Sequence, residues 1–486
     1  MRPSLPIKGL VLFFVWILNL TVARATHVLG TELVYEHIGT ATSPNRYRVS
    51  ALVFDDITSG GQSITYILTC GKNECGNTLP GSFTTTHTRT RSFPAPVIVP
   101  ACPGLPVAYP ALRVQVIEGE VDLPPARWTL SVNSGNRRSD VVNLPQSVQQ
   151  SIDVTATLDN STGLINSSPK FTSHYLIQLV GNQSERHSLS TFDSEGDSLT
   201  YELVRPVSKS VPMQACGELA AGSTVAPHFA INSATGELLT RAIPAQQGVF
   251  IVAVVVNEYR RLNGVWQQIG QINRDMLYYV LNGSNNQVPT FARVAYSSNP
   301  TGQLLGQTIR VSPGQNVVLN LTATDPDAGQ TVQLLSEVTG VVPGATFQAQ
   351  ANGQGQLTWQ VPASLPRGRY SLGVTAFDDA CPGKGVTTQV LTFLVSPTQP
   401  LATRSRQALA QPPYPSPFRE EVRFQFAESG AQPVVIIDEM GRTVANLHTA
   451  ADGSIRWQPA STLPTGLYLA RNLRGTQVAR LSYAGQ

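Results

Sequence analysis

The chain has 486 residues, too many for one compact core, and at roughly 100–200 residues per domain it is expected to hold three or four domains. Hydrophobic residues make up 41% and charged residues 13%, a balance that fills several small cores and excludes a disordered chain. The formal net charge is +3. With basic clusters only at Arg89/Arg91 and Arg137/Arg138, that excludes the electrostatic footprint of a nucleic-acid binder.

The N-terminus reads as a secretory leader, residues 1–25. Arg2 and Lys8 supply a positive end, and Gly9 to Val22 supply an apolar core. Ala23-Arg24-Ala25 then fits the small-x-small rule, which puts cleavage between Ala25 and Thr26. The apolar run is roughly 14 residues, short of the roughly 20 that a membrane anchor needs. The mature chain is expected outside the cytoplasm.

Beyond the leader helix the pattern is all-β, read as tandem β-sandwich domains. No stretch sustains apolar residues at helical spacing, and 39 Gly and 35 Pro punctuate short alternating segments. The first unit spans 26–157. Tyr47, Val49, Ala51 and Val53 alternate with Arg48, Ser50 and Leu52, and similar short strands recur through Ser151–Ala156. Export permits disulfides. Cys70 and Cys75, separated by the turn Gly71-Lys72-Asn73-Glu74, are the expected pair, with Cys70–Cys102 as the rival; Cys216 and Cys381 are expected as inert thiols.

The middle of the chain is duplicated. Asn166-x-x-Pro169-x-Phe171 is answered by Asn286-x-x-Pro289-x-Phe291, 120 positions on. An acidic turn follows each: Asp193-Ser-Glu195-Gly-Asp197, then Asp325-Pro-Asp327. Gly248, Phe250, Val252, Val254 and Val256 match Gly368, Tyr370, Leu372, Val374 and Ala376. A 120-residue period suits tandem sandwiches rather than a solenoid, so copies are placed at 168–284 and 287–396. In the first copy Tyr259–Trp266 reads as a hairpin tip around Asn263-Gly264. Residues 397–413 read as a proline-bearing linker, and 414–486 as a final small sandwich.

No nucleophile elbow, metalloprotease helix, phosphate loop or dinucleotide fingerprint occurs, and the seven histidines lack ligand spacing. The chain is read as not an enzyme. The acidic turns are the one candidate site, because calcium takes six to eight oxygens. Asp325, Asp327 and Asp378 are the expected ligands in the second copy, with Asp193, Glu195 and Asp197 in the first. Asn285-Asn286 stands where an acidic linker would strengthen the metal case, and turn formation alone also explains the acidic residues. Among the aromatics, Trp128 is expected in a core and Trp266 on the surface, where it could stack on a sugar ring.

Three resemblances follow from these motifs. The paired N-x-x-P-x-F openings and acidic turns resemble cadherin-like and immunoglobulin-like bacterial repeats. The tail carries Tyr414-Pro415-Ser416-Pro417-Phe418, Asp438-x-x-Gly441-Arg442 and Leu463-Pro464-x-Gly466-x-Tyr468. It resembles the type A sorting domain of type IX secretion cargo, with Ser416 in place of the usual Asn. The mature start, Thr26-His27-Val28-Leu29-Gly30-Thr31-Glu32, is similar to large surface proteins of gliding-type bacteria. The resemblances imply a structural or adhesive surface protein, sent across the outer membrane by its tail. Its implied partners are the type IX machinery and a surface glycan or protein ligand. A monomer is expected. The alternatives are a carbohydrate-binding accessory protein and, behind it, a hydrolase.

Overall fold

The computed structural model describes residues 28–57, 65–96, 112–180, 183–209, 216–240, 246–281, 285–292, 294–296, 299–303, 306–381, 383–396, 409–438, 441–473 and 477–485. The expected leader, the Ala25–Thr26 junction, Cys102 and most of the 397–413 linker lie outside them. Among the described residues there are strands and one 3-10 turn, Ser147–Gln149, and no α-helix. The chain divides into two compact units, residues 1–397 and 398–486.

In the first unit, seven strands cover the N-terminal region: β1 (Val28–His37), β2 (Arg46–Asp56), β3 (Thr65–Lys72), β4 (Phe83–Pro94), β5 (Leu112–Asp122), β6 (Arg127–Asn136) and β7 (Ser151–Asp159). They run in the order β1-β2-β5-β4-β3-β6-β7. The strand Val265–Leu281 then pairs with both β7 and β1, so eight strands close a hydrogen-bonded ring. Closure removes the exposed edges that an open sheet would carry. The alternation read at Tyr47–Val53 is real: Tyr47, Val49, Ala51 and Val53 are buried, and the residues between them are half-exposed.

Two expected boundaries do not coincide with sheet boundaries. Residues 168–284 share the large sheet with 26–157, since Val265–Leu281 continues through Gly248–Leu262 to Ser198–Val204. Strands Arg186–Ser188, Glu237–Thr240 and Phe229–Ile231 instead join Val386–Val395 and Gly368–Phe377 of the second copy. The cause is length. Gly248–Leu262 and Val265–Leu281 form a hairpin of 15- and 17-residue strands, long enough for one end to complete a neighbouring sheet. The hairpin turns at Asn263 and Gly264, both with positive φ (51° and 85°), the backbone that an Asn-Gly pair favours.

The disulfide expectation is corrected. Cys75 bonds Cys216, 141 residues away, with Cα atoms 5.3 Å apart. Cys70 is a free, fully buried thiol inside β3, opposite Phe83 and Leu130. A strand residue facing the core cannot reach round a turn to its near neighbour, whereas Cys75 on the turn can reach another segment. Cys381 is also disulfide-bonded, so neither it nor Cys216 is an inert thiol.

The second unit packs a three-stranded sheet (Gln411–Tyr414, Val422–Gln425, Ser454–Trp457) and a four-stranded sheet (Thr443–His448, Pro433–Ile437, Gly466–Asn472, Val478–Tyr483). Phe418, Val422, Phe424, Phe426, Trp457, Tyr468 and Tyr483 share its core. The linker expectation ends sooner here: Pro412 and Pro413 lie in the first strand of this unit.

Candidate functional site: two acidic poles built on one plan

The duplication read in the sequence returns as matched hydrogen bonds. In the first copy, Asn166 Nδ2 donates to Glu258 Oε2 at 2.8 Å, the amide of Ser167 donates to Glu195 Oε1 at 3.1 Å, and the amide of Glu195 donates to Asp193 Oδ1 at 3.1 Å. In the second, Asn286 Nδ2 donates to Asp378 Oδ2 at 2.8 Å, the amide of Gln287 donates to Asp327 Oδ2 at 2.7 Å, and the amide of Asp327 donates to Asp325 Oδ1 at 2.8 Å. Each acidic turn folds because the leading Asp accepts from the amide two residues on, a local bond that competes well with strand pairing. Each pole is then tied to the segment that opens its copy.

Sequence reasoning missed Glu258, the counterpart of Asp378. The signal was present: the matched run Gly248–Val256 and Gly368–Ala376, continued two residues further, places Glu258 opposite Asp378 at the same 120-residue offset.

The first pole is sealed. Asp193, Asp197 and Glu258 are buried, and one oxygen from each lies within 4.8 Å of the others. Arg260 is its internal cation. Its Nε donates to Asp197 Oδ1 at 2.7 Å, Nη2 donates to Asp197 Oδ2 and to Asn166 Oδ1, and Nη1 donates to the Ile165 carbonyl. One guanidinium does not balance this many carboxylates. Burial, with Asp197 and Glu195 nearby, raises Asp193 to about 7. Burial and the charges of Asp193 and Asp197 hold Glu258 well above the usual carboxylate range. Among the described residues, none donates to Asp193 Oδ2 or Glu258 Oε1. A proton held between the two carboxyl groups satisfies both atoms.

The second pole is open. Asp325, Asp327 and Asp378, the expected ligands, do not form a group with oxygens within 4.8 Å of one another, as Asp193, Asp197 and Glu258 do, and their oxygens are largely taken. Asp327 accepts from the Gln287 amide and from Gln287 Nε2. Asp378 accepts from Asn286, Ala380 and Gly385. Lys384 is buried beside it and donates to the Asp378 carbonyl at 2.7 Å. Asp325 Oδ2 is the one buried oxygen of the three without a donor. Calcium needs six to eight oxygens, and this arrangement does not present them. Among the described residues, the carboxylates with oxygens close enough to share a cation are Asp193, Asp197 and Glu258.

The tail motifs divide by role. Phe418 is in the core. Asp438 closes its turn by accepting from the Gly441 amide through its carbonyl, and from Arg442 N and Nε through its carboxylate. Gly441 has φ 79°, where a side chain is strained. Tyr468 donates to the Pro464 carbonyl at 2.6 Å, and its ring meets Trp457 edge-on at 5.4 Å. The same device exists elsewhere: in Leu365-Pro366-x-Gly368-x-Tyr370, Tyr370 donates to the Pro366 carbonyl at 2.9 Å and meets Trp359, again 11 residues ahead. By contrast, Tyr414 is 79% exposed, beside Pro415 and Pro417 in an open surface groove.

No protein-family model matches the chain, and no curated protein matches it. Solved structures similar to parts of it include a chimeric titin Z1Z2 tandem (15% identity over 47% of this chain and all of that one, TM-score 0.15). Others are Drosophila N-cadherin EC1-4 (13%, 64% and 73%, TM-score 0.18) and dimeric latent PorU from Porphyromonas gingivalis (15%, 64% and 32%, TM-score 0.15). The fold class is all-β, as the strands and sheets themselves show. TM-scores this low carry no functional information.

Proposed function

We propose that this chain is a non-catalytic structural or adhesive protein of the cell surface or surroundings, and that residues 414–486 are the signal that passes it across the outer membrane. The observation that carries this reading is the tail's independence. Residues 398–486 form their own compact unit, and the sorting-like residues Phe418, Asp438, Gly441, Arg442, Pro464 and Tyr468 all serve its fold. A machine can grip such a unit without unfolding what precedes it. The test is deletion of residues 398–486 in a host with type IX machinery. The shortened protein is expected to accumulate in the periplasm with its first unit folded. Undiminished appearance outside the cell would sink the assignment.

A second reading concerns calcium, favoured by the undonated oxygens of Asp193 and Glu258. A divalent cation there would take the place of the shared proton, so its binding should strengthen as pH rises. Calorimetric titration of calcium at pH 5 and pH 8 checks this: heat at neither pH, with no calcium-dependent rise in melting temperature, rejects it.

A further inference from the structure

The first unit holds a groove of about 590 Å³, within the range of small-ligand clefts of roughly 300–1,000 Å³. Its floor is one face of the ring. Glu32, Leu52, Val116 and Arg91 lie side by side across β1, β2, β5 and β4, and Val34, Ser50 and Glu118 form the next row. Residues 170–174 and 336–341 supply walls.

The base of the groove is rigidly built. Arg274 and Glu32 form a buried ion pair, and the guanidinium lies 3.9 Å from the centre of the Phe171 ring. Arg274 Nη1 donates to the Ser173 carbonyl at 2.7 Å. His174 sits between Glu32 (3.8 Å) and Glu337 (3.2 Å), and its amide donates to Glu337 Oε2 at 2.6 Å. The first wall is therefore pinned to the floor through a buried ion pair, an arrangement that does little for stability but fixes a shape, and the second is tied to the first by the hydrogen bonds between His174 and Glu337.

The rim is charged, with three cations paired to two carboxylates. Lys170 and Arg48 pair with Glu36 at 3.3 and 3.9 Å, and Arg91 pairs with Glu118 at 3.6 Å. Ser50 and Thr90 hydroxyls also donate to Glu118. Phe93 is exposed beside them. Paired charges select neither an anion nor a cation. A carboxylate next to a guanidinium offers acceptor and donor together, which matches adjacent hydroxyl groups. Phe93 and Leu52 offer apolar surface to a ring's C–H face. A peptide strand is disfavoured, because β1, β2, β4 and β5 each have hydrogen-bonded neighbours on both sides, leaving no edge to extend.

We infer that this groove binds a neutral oligosaccharide, gripped at its hydroxyls by the Arg91–Glu118 and Lys170–Glu36 pairs. The inference deepens the adhesive reading, and its test reads binding, whereas the tail deletion reads location. Either can therefore fail alone.

The experiment titrates the mature full-length chain by calorimetry with maltotetraose, cellotetraose, laminaritetraose and mannotetraose. At least one should bind. Arg91→Ala should weaken it about tenfold, the scale of one charged hydrogen bond, and Phe93→Ala up to about tenfold, the scale of one aromatic contact, both with unchanged melting temperature. Glu118→Gln, which keeps the side-chain shape, should do the same and guards against misfolding. Trp266→Ala, on the hairpin tip, should leave binding unchanged. Absence of heat from all four sugars at millimolar concentration overturns the inference. So does loss of binding in Trp266→Ala but not in the groove variants, or saturable binding of an alternating Lys-Glu octapeptide alone.

Discussion

The two acidic poles share a hydrogen-bond plan and differ in where the chain puts them. Asn166, Ser167, Glu195, Asp193 and Glu258 repeat Asn286, Gln287, Asp327, Asp325 and Asp378 bond for bond. The first pole lies under the long hairpin, where Tyr35 closes it from β1: Asn166 Nδ2 also reaches the Tyr35 hydroxyl, which donates to the Thr157 carbonyl. The second is partly open: Asp378 is buried, and Asp325 and Asp327 are half-exposed. There, hydrogen bonds from Gln287 lower Asp327, while partial burial raises Asp325. The matched positions thus form a buried, under-neutralised cluster in one copy and a hydrogen-bonded, partly open turn in the other. Motif identity specifies the bonds; burial decides the electrostatics.

The sharpest way to break this comparison is to remove the cation of the sealed pole. Arg260→Ala leaves Asp197 buried without its partner, and should cost about 3–5 kcal/mol in chemical denaturation of the first unit. If the pole were as open as its twin, the loss would stay below about 1 kcal/mol. Next come the matched amides. Asn166→Ala strips the buried Glu258 carboxyl of its donor and should cost about 2–3 kcal/mol, against about 1 kcal/mol for Asn286→Ala, since Asp378 keeps the Ala380 and Gly385 amides. Equal losses would erase the distinction.

The third prediction uses pH. Asp193 titrates near 7 in the folded chain against an unfolded value of 3.8, and Glu258 is also raised, in both cases mainly by burial. Between about pH 4 and 7 the folded chain therefore binds more protons than the unfolded one. Stability from this cluster is complete below the unfolded values and declines as pH rises through 7, by about 1.4 kcal/mol per pH unit for each extra proton held. Asp153, raised to about 6 by burial, adds the same sign. Asp193→Asn should flatten part of the slope, and Asp325→Asn should flatten it less. Parallel curves for both variants would contradict the account.

Much of this was legible in the sequence because it is local. Val422, Phe424 and Phe426 alternate into a core, Asn263-Gly264 turns a hairpin, and Trp128 is buried while Trp266 is exposed, all as their spacing implies. What was not legible is non-local. Nothing near Cys75 points to Cys216, and nothing in Val265–Leu281 announces that it closes a ring with β1. The acidic turns were found, but which of them would be sealed depends on Tyr35 and Arg260, 158 and 67 positions from Asp193. The tail teaches a related lesson. Leu-Pro-x-Gly-x-Tyr, its most family-like motif, recurs at 365–370 with the same tyrosine-to-proline-carbonyl bond and the same tryptophan, so that motif is a corner of the sandwich before it is anything else.

The central proposal, that the second unit is a self-sufficient export signal, is tested most directly by transplanting it. Residues 398–486 would be fused behind a signal peptide and a periplasmic reporter in a host with type IX machinery, and the reporter followed by fractionation. The account predicts reporter at the cell surface or in the medium, and its retention in the periplasm when Gly441→Val breaks the Asp438 turn. A folded, intact fusion that stays in the periplasm without any mutation would contradict it.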